Sequence, residues 1–242
     1  MQETTYIVAY LDMLGTKALI QSEQRSAAAC KNLHELYQIV MAMGGNCGCS
    51  EIVVKIFSDN LILAQKLDGQ NDQTVIKSFL QIISVFQFVA VCERAWPLRG
   101  GITIGGLILD DVIIWGQALL RSYALESCTA IYPRIVIDSN PDVLTVFSKY
   151  GIGIGTYFRL DSDGQYFLNY LSYFPNYCDL QKCMFDSFNR MLTLAKGKNN
   201  TIPVRIFQKL CWHKHYVNEI FRIWGSNHPE YELVIPESIK LK

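Results

Sequence analysis

The sequence lacks an excess of charge of either sign. Its 22 Lys and Arg balance 22 Asp and Glu, and charged residues make up only 18% of the chain. Such a balance argues against nucleic acid or an anionic membrane surface as the main partner. It leaves room for a small anionic substrate at a locally basic site. The chain also lacks any unbroken run of roughly 18 apolar residues, the length that crosses a bilayer. Its start, Met1-Gln2-Glu3-Thr4, has neither the basic segment nor the cleavage site of a signal peptide. The expected location is therefore cytoplasmic, with no membrane or nucleic-acid partner. The eight cysteines (Cys30, Cys47, Cys49, Cys92, Cys128, Cys178, Cys183 and Cys211) are expected as thiols. No internal repeat and no low-complexity segment is present.

What is there is apolar: half of the 242 residues, enough to bury a full core. Thr5 to Leu14 is rich in β-branched and aromatic residues and is expected as a strand closed by Gly15. Apolar residues at helical spacing follow over 16–43, and Gly44, Gly45, Asn46 and Gly48 suggest a loop. Two short apolar runs, Glu51–Phe57 and Asn60–Gln65, are separated only by Ser58-Asp59, which predicts a hairpin. A long helix is expected from Asp72 to about Trp96, stopped by Pro97. Strands over Leu98–Ile108 and Val112–Trp115 and a helix from Gly116 to about Ser127 come next. Arg134–Ile137 is expected as a strand and Asn140–Tyr150 as a short helix. A hairpin is expected over Thr156–Leu160 and Gln165–Leu171, and helices over about 178–196 and 202–224.

Hairpins alternating with crossover helices predict an α+β fold: a ferredoxin-like palm, one mixed central sheet with helices on one face, plus C-terminal helices. The expected division is a catalytic domain over 1–175 and a helical extension over 176–242 packed on the same domain.

Two acidic residues stand out by context. Asp12 sits near the end of the first strand, in Tyr10-Leu11-Asp12-Met13-Leu14-Gly15. Asp59 sits at the tip of the first hairpin, in Lys55-Ile56-Phe57-Ser58-Asp59-Asn60. Each alone is ordinary, one as a cap and the other as turn chemistry. Together, if the first strand lies beside the hairpin, they place two hard oxygen ligands at one sheet edge. Such a pair suits Mg²⁺ or Mn²⁺ with positions left open for phosphate oxygens.

Two later segments add to this pair. One is the glycine strand Arg99-Gly100-Gly101-Ile102-Thr103-Ile104-Gly105-Gly106. The other is Ile114-Trp115-Gly116-Gln117-Ala118, which enters a helix carrying Arg121 and Glu126. In order and spacing, residues 5–170 resemble class III nucleotidyl cyclases. Size, the paired aspartates and the Gly116–Glu126 segment look most like the pyrimidine nucleotide cyclases of bacterial antiphage signalling (Pycsar systems). The resemblance implies a homodimer with sites at its interface, two Mn²⁺ or Mg²⁺ per site held by Asp12 and Asp59, and a separate effector that answers the cyclic nucleotide.

The resemblance makes Lys55, four residues before Asp59, the base reader and Ile113 its partner position. Lysine only donates, so it cannot serve guanine, and Ile113 offers no acceptor for the adenine amine. Uracil, with two carbonyl acceptors, fits a lone lysine best, and cytosine is second. The expected reaction is therefore UTP to 3′,5′-cyclic UMP and pyrophosphate. The alternatives in order are a cytidylate cyclase, an adenylate cyclase and a non-catalytic nucleotide-binding module. The positions matching the family's helix Asn and Arg are Leu120 and Ala124, so Arg121, one residue off, is the candidate transition-state contact. Arg99 is a phosphate candidate, and Arg159 a further one. Other signals carry less. Cys211-x-His213-x-His215 puts His213 on the opposite helix face from its neighbours. Cys47-x-Cys49 has no partner pair, and Gly151–Gly155 reads as a turn before a strand.

Overall fold

The computed structural model describes residues 3–15, 23–46, 52–175, 179–225 and 228–242. Its centre is strand β1 (Thr4–Met13), whose alternating side chains feed two different cores. β1 runs antiparallel to β3 (Asn60–Lys66) on one side and to β4 (Leu98–Leu109) on the other, and β2 (Val53–Phe57) pairs antiparallel with β3. The order β2-β3-β1-β4, with helix α1 (Glu23–Asn46) before β2 and helix α2 (Asp72–Arg94) before β4, is the ferredoxin-like arrangement expected. β6 (Ile135–Ile137) extends the sheet parallel to β4, and the hairpin β7 (Phe158–Leu160) and β8 (Tyr166–Leu168) completes that edge. A two-residue strand β5 (Ile114–Trp115) folds back on the end of β4.

Residues directly opposite one another in paired strands share a face. Ile7, Ala9, Leu11 and Met13 face the main core, with Leu61 and Leu63 of β3, Leu36 and Val40 of α1, and Ile76, Phe79, Leu80 and Ile83 of α2. Helix α4 (Pro141–Lys149) closes the same core through Val143 and Phe147. Val8 points the other way, into a smaller cluster with Ala64, Leu107 and Ala118. Ala118 belongs to the short helix α3 (Gln117–Ala124), so the long helices cover one face while α3 crosses the other.

α2 has the length and composition of a membrane span, the one such helix among the described residues, yet most of it is buried within the protein. Its far side forms a second core with α5 (Leu180–Ala195) and α6 (Val204–Ile223). Phe88, Val91 and Cys92 there meet Met184, Phe188, Val217 and Ile220. The chain ends in a short parallel pair, β9 (Thr201–Ile202) with β10 (Lys240–Leu241).

Several boundaries differ from expectation, among them the strands expected over Val112–Trp115 and Thr156–Leu160, which start at Ile114 and Phe158. α1 continues through Gly44, Gly45 and Asn46. Glycine costs a helix only about 1 kcal/mol relative to alanine, which the preceding turns carry. The helix expected over Gly116–Ser127 changes pitch, since α3 ends at Ala124 and a π turn runs over Leu125–Thr129, closed by Ala130 N–H on the Leu125 carbonyl at 2.8 Å. The last hairpin is shorter than predicted because Leu171 joins a 3-10 turn, Tyr170–Tyr173. Gly48, Cys47-x-Cys49, Cys178 and residues 16–22 of the first expected helix lie outside the described residues.

Candidate active site

Asp12 is the penultimate residue of β1, opposite Asn60 in one neighbouring strand and Arg99 in the other. The hairpin tip is tight: Ser58 takes a left-handed φ of 58°, and Asp59 follows it directly. The Asp59 carbonyl accepts from the Met13 N–H at 3.1 Å, which locks the tip to the end of β1. Asn60 Nδ2 donates to Asp59 Oδ1 at 3.3 Å. The two aspartates therefore meet at one sheet end. Their charges are felt together: burial first, then Glu126, Tyr123, Asp12 and Asp59, push the Tyr10 hydroxyl above its ordinary pKa.

A cation already stands at this end. Arg99 Nε donates to Asp12 Oδ2 at 2.8 Å, and its Nη2 lies 2.7 Å from Glu126 Oε1. The Glu126 side chain is only 4% exposed. Burial raises its pKa, opposed by Arg99 and reinforced by Asp12 and Asp59. Glu126 reaches this point because the helix crosses β4 at a glycine. A Cβ on Gly101 would come 2.4 Å from the Leu125 Cβ and 2.5 Å from the Ser122 carbonyl. The π turn then begins where Glu126 must turn inward, a use common at functional sites. Gly116, at φ +147° and with its missing Cβ 2.6 Å from the Gly106 carbonyl, lets α3 start against β4.

Lys55 sits on the same sheet face as Asp12, two ladder positions from the hairpin tip. Its Nζ donates to the Asp111 carbonyl at 3.0 Å. That bond joins Lys55 to the turn between β4 and β5, where Asp110 Oδ1 accepts from the Val112 and Ile113 N–H groups. Those backbone donors hold the Asp110 carboxyl below its usual range. The turn carries Ile113, so the structure brings Lys55 and Ile113 into one neighbourhood.

Arg121 goes elsewhere. Its Nε and Nη2 bind both oxygens of Asp138, at 3.0 and 2.7 Å. Asp138 is buried and also accepts from Thr103 Oγ1 at 2.7 Å and the Asn140 N–H at 3.1 Å. The Arg121 side chain remains 49% exposed. Arg121 is thus paired with Asp138 rather than with the Asp12–Arg99–Glu126 group. Arg159 is not at this end either, because its guanidinium pairs with Glu219 of α6 at 2.5 Å. Arg134, fully buried, holds Asp161 and Asp163 of the second hairpin.

Two contributors were not found by reading the sequence. Glu126 was visible only as a helix acid, with no local signal that it pairs with Arg99 on a strand. Lys209 of α6 is half-buried, and its ammonium pKa is lowered first by burial, then by Arg99, against the pull of Asp12 and Glu126. The C-terminal helix therefore adds a second cation to the same group. Its only sequence trace is the basic pair Arg205 and Lys209, one helical turn apart.

Among the described residues no three His, Cys, Asp or Glu side chains converge closely enough to hold a metal by themselves. A two-carboxylate site fits Mg²⁺ or Mn²⁺, which keep water or substrate phosphate oxygens as their other ligands. Asp12 and Asp59 are hard oxygen donors, neither sealed in the core. The donor set thus suits a divalent ion that arrives with a phosphorylated substrate. His213 is buried, stacked on Phe188, whereas His215, two residues on, is 79% exposed, so the two rings lie on different faces of α6. Cys30, Cys92, Cys128, Cys183 and Cys211 are free thiols. Gly151 and Gly155 take left-handed conformations in a turn before β7, as expected.

No family model matches the chain, and no curated protein matches it. Solved structures similar to it include the adenylyl cyclase CyaB from P. aeruginosa, at 16% identity and TM-score 0.46, over 69% of this chain and 94% of that one. Another is the monomeric guanylyl cyclase domain of the RhoGC fusion protein from the aquatic fungus Blastocladiella emersonii (12% identity, TM-score 0.48, 69% and 95% covered). A third is the adenylate/guanylate cyclase/hydrolase from Silicibacter pomeroyi (17% identity, TM-score 0.43, 69% and 95% covered). Likeness at this level assigns neither an activity nor residue roles to the chain.

Proposed function

We propose that the chain is a metal-dependent pyrimidine nucleotide cyclase that converts UTP to 3′,5′-cyclic UMP and pyrophosphate, a second messenger of antiphage defence. The observation that carries this reading is the sheet end itself. Asp12 and Asp59 are locked together by the Met13–Asp59 backbone bond, on a face that also carries Lys55 and Arg99, and the charge of Lys209 is felt there. Two carboxylates beside cations are what a triphosphate with its divalent counter-ion requires.

Asp12 and Asp59 would hold the divalent ion. When bound, it supplies Lewis-acid activation of the ribose 3′-hydroxyl and charge neutralisation at the phosphates. The chain's own side chains do the rest. Lys55, which in the interface arrangement serves the site whose carboxylates the other subunit supplies, donates to a uracil carbonyl, exchanging its present acceptor, the Asp111 carbonyl, for one on the base. Ile113 flanks the base without offering an acceptor. Arg99, and the Lys209 charge felt beside it, offset charge on the departing pyrophosphate.

The surface around this face supports a homodimer. Phe57 at the hairpin tip is 77% exposed and Trp115 before α3 is 70% exposed, and Ile113, Leu120 and Tyr123 are exposed as well. Large apolar side chains left in water are what a subunit interface would cover. A two-fold dimer through it gives two equivalent sites. Arg121, half-exposed and paired with Asp138 rather than with its own Asp12, would then serve the partner's triphosphate.

One observation favours a second substrate. The Asp111 carbonyl beside Lys55 is an acceptor, which a base carrying an amine would use. Cytosine is the first such base and adenine the second. Incubation with each of the four nucleoside triphosphates and Mn²⁺, with products identified by mass, separates these readings. Cyclic UMP as the main product supports the proposal, and cyclic AMP as the main product overturns it.

A further inference from the structure

Arg99 touches both carboxylates of the Asp12–Glu126 pair, and the two ends of its guanidinium are not equivalent. Asp12 stands at the open end of β1 with Asp59 beside it. Glu126, in the π turn that follows α3, is almost wholly enclosed. A buried carboxylate deprived of its cation is left with an uncompensated charge, whereas a carboxylate at the rim can exchange one cation for another.

We propose that Arg99 is a latch on the metal site. It neutralises Asp12 while no divalent ion is present, and withdraws onto Glu126 when one binds. The inference rests on the reading of Asp12 as a metal ligand. It adds a regulatory step: metal entry requires the Arg99–Asp12 contact at 2.8 Å to open. Glu126 is the positioning residue that makes opening feasible, because it retains the guanidinium throughout.

The latch has a signature that a merely structural pair does not share. Glu126→Gln removes the resting partner, so Arg99 is left to Asp12 alone and metal affinity falls. The charge-neutral double variant Arg99→Met/Glu126→Gln leaves the net charge of the site unchanged but frees Asp12. Its affinity should then rise above that of the wild type. The measurement is Mn²⁺ binding to the full chain without nucleotide, followed by electron paramagnetic resonance, with Asp12→Asn as reference. The expected result is a loss of roughly fivefold for Glu126→Gln and a gain of similar size for the double variant.

Equal affinity of the double variant and wild type overturns the latch. If Asp12→Asn still abolishes binding in that case, the metal site itself stands. If the wild type binds no Mn²⁺ that Asp12→Asn removes, both the latch and the metal site fall. Circular dichroism confirms folding. Should Glu126→Gln alone fail to fold, the double variant against wild type decides the question.

Discussion

Gly101 of β4 lies directly beneath Leu125, so close that a Cβ on the glycine would fall 2.4 Å from the leucine Cβ. This contact sets how near α3 and its π turn come to the sheet. It thereby places Glu126 against Arg99, which the strand register already sets opposite Asp12. A strand glycine here acts on the site through the helix it admits.

Gly101→Ala should therefore force the π turn off the sheet. Overpacking of this kind costs about 1–3 kcal/mol, so chemical denaturation should show a loss of that size. The displaced Glu126 should also lower turnover of the folded fraction. Unchanged stability would mean that the helix is free to shift.

The exposed apolar side chains predict self-association. Trp115→Glu, or Phe57→Glu at the hairpin tip, places a charge in the proposed interface. Light scattering should give the dimer mass for wild type and the monomer mass for either variant, with the thermal transition kept. A wild type that is monomeric at assay concentration would contradict shared sites.

Lys55 predicts base selectivity. In the free chain Lys55 Nζ donates to the exposed Asp111 carbonyl, so Lys55→Met should leave stability nearly unchanged. Loss of a base contact of this type should lower kcat/KM for UTP by roughly tenfold to a hundredfold. Equal kcat/KM for variant and wild type would remove Lys55 from the base site.

His213 predicts acid sensitivity. Burial alone lowers its pKa from 6.5 to about 4, and its Nε2 has no hydrogen-bond partner among the described residues. Between those values the unfolded chain binds the proton and the folded chain does not, so stability rises with pH across that window. The contribution is complete above pH 6.5 and is lost as pH falls toward 4, by about 3 kcal/mol in all. His213→Phe should flatten this part of the stability–pH curve, read by urea denaturation at several pH values. An unchanged slope would assign the acid sensitivity to other groups.

Much of the palm was legible because its signals are local. The alternation in β1, the Ser58-Asp59 turn and the Pro97 stop each act over a few residues. They suffice to bring Asp12 beside Asp59. The side-chain partners were not legible, because they join residues far apart with no shared period. Asp138, 17 residues on, holds Arg121 with two hydrogen bonds, a pairing that no local pattern announces. Arg99 meets Glu126 only because α3 crosses over Gly101, a packing event that no spacing rule encodes. Lys209 lies in a helix whose aromatic residues mark it as covering the core, which hides the one cation it turns toward the site.

The most direct test of the account is product formation from UTP and Mn²⁺ by the wild type and by Asp59→Ala, run beside ATP, CTP and GTP. The account predicts cyclic UMP and pyrophosphate from the wild type, and no cyclic product from Asp59→Ala although it keeps its fold. A wild type that cyclises none of the four, or an Asp59→Ala protein that turns over UTP at the wild-type rate, would contradict it.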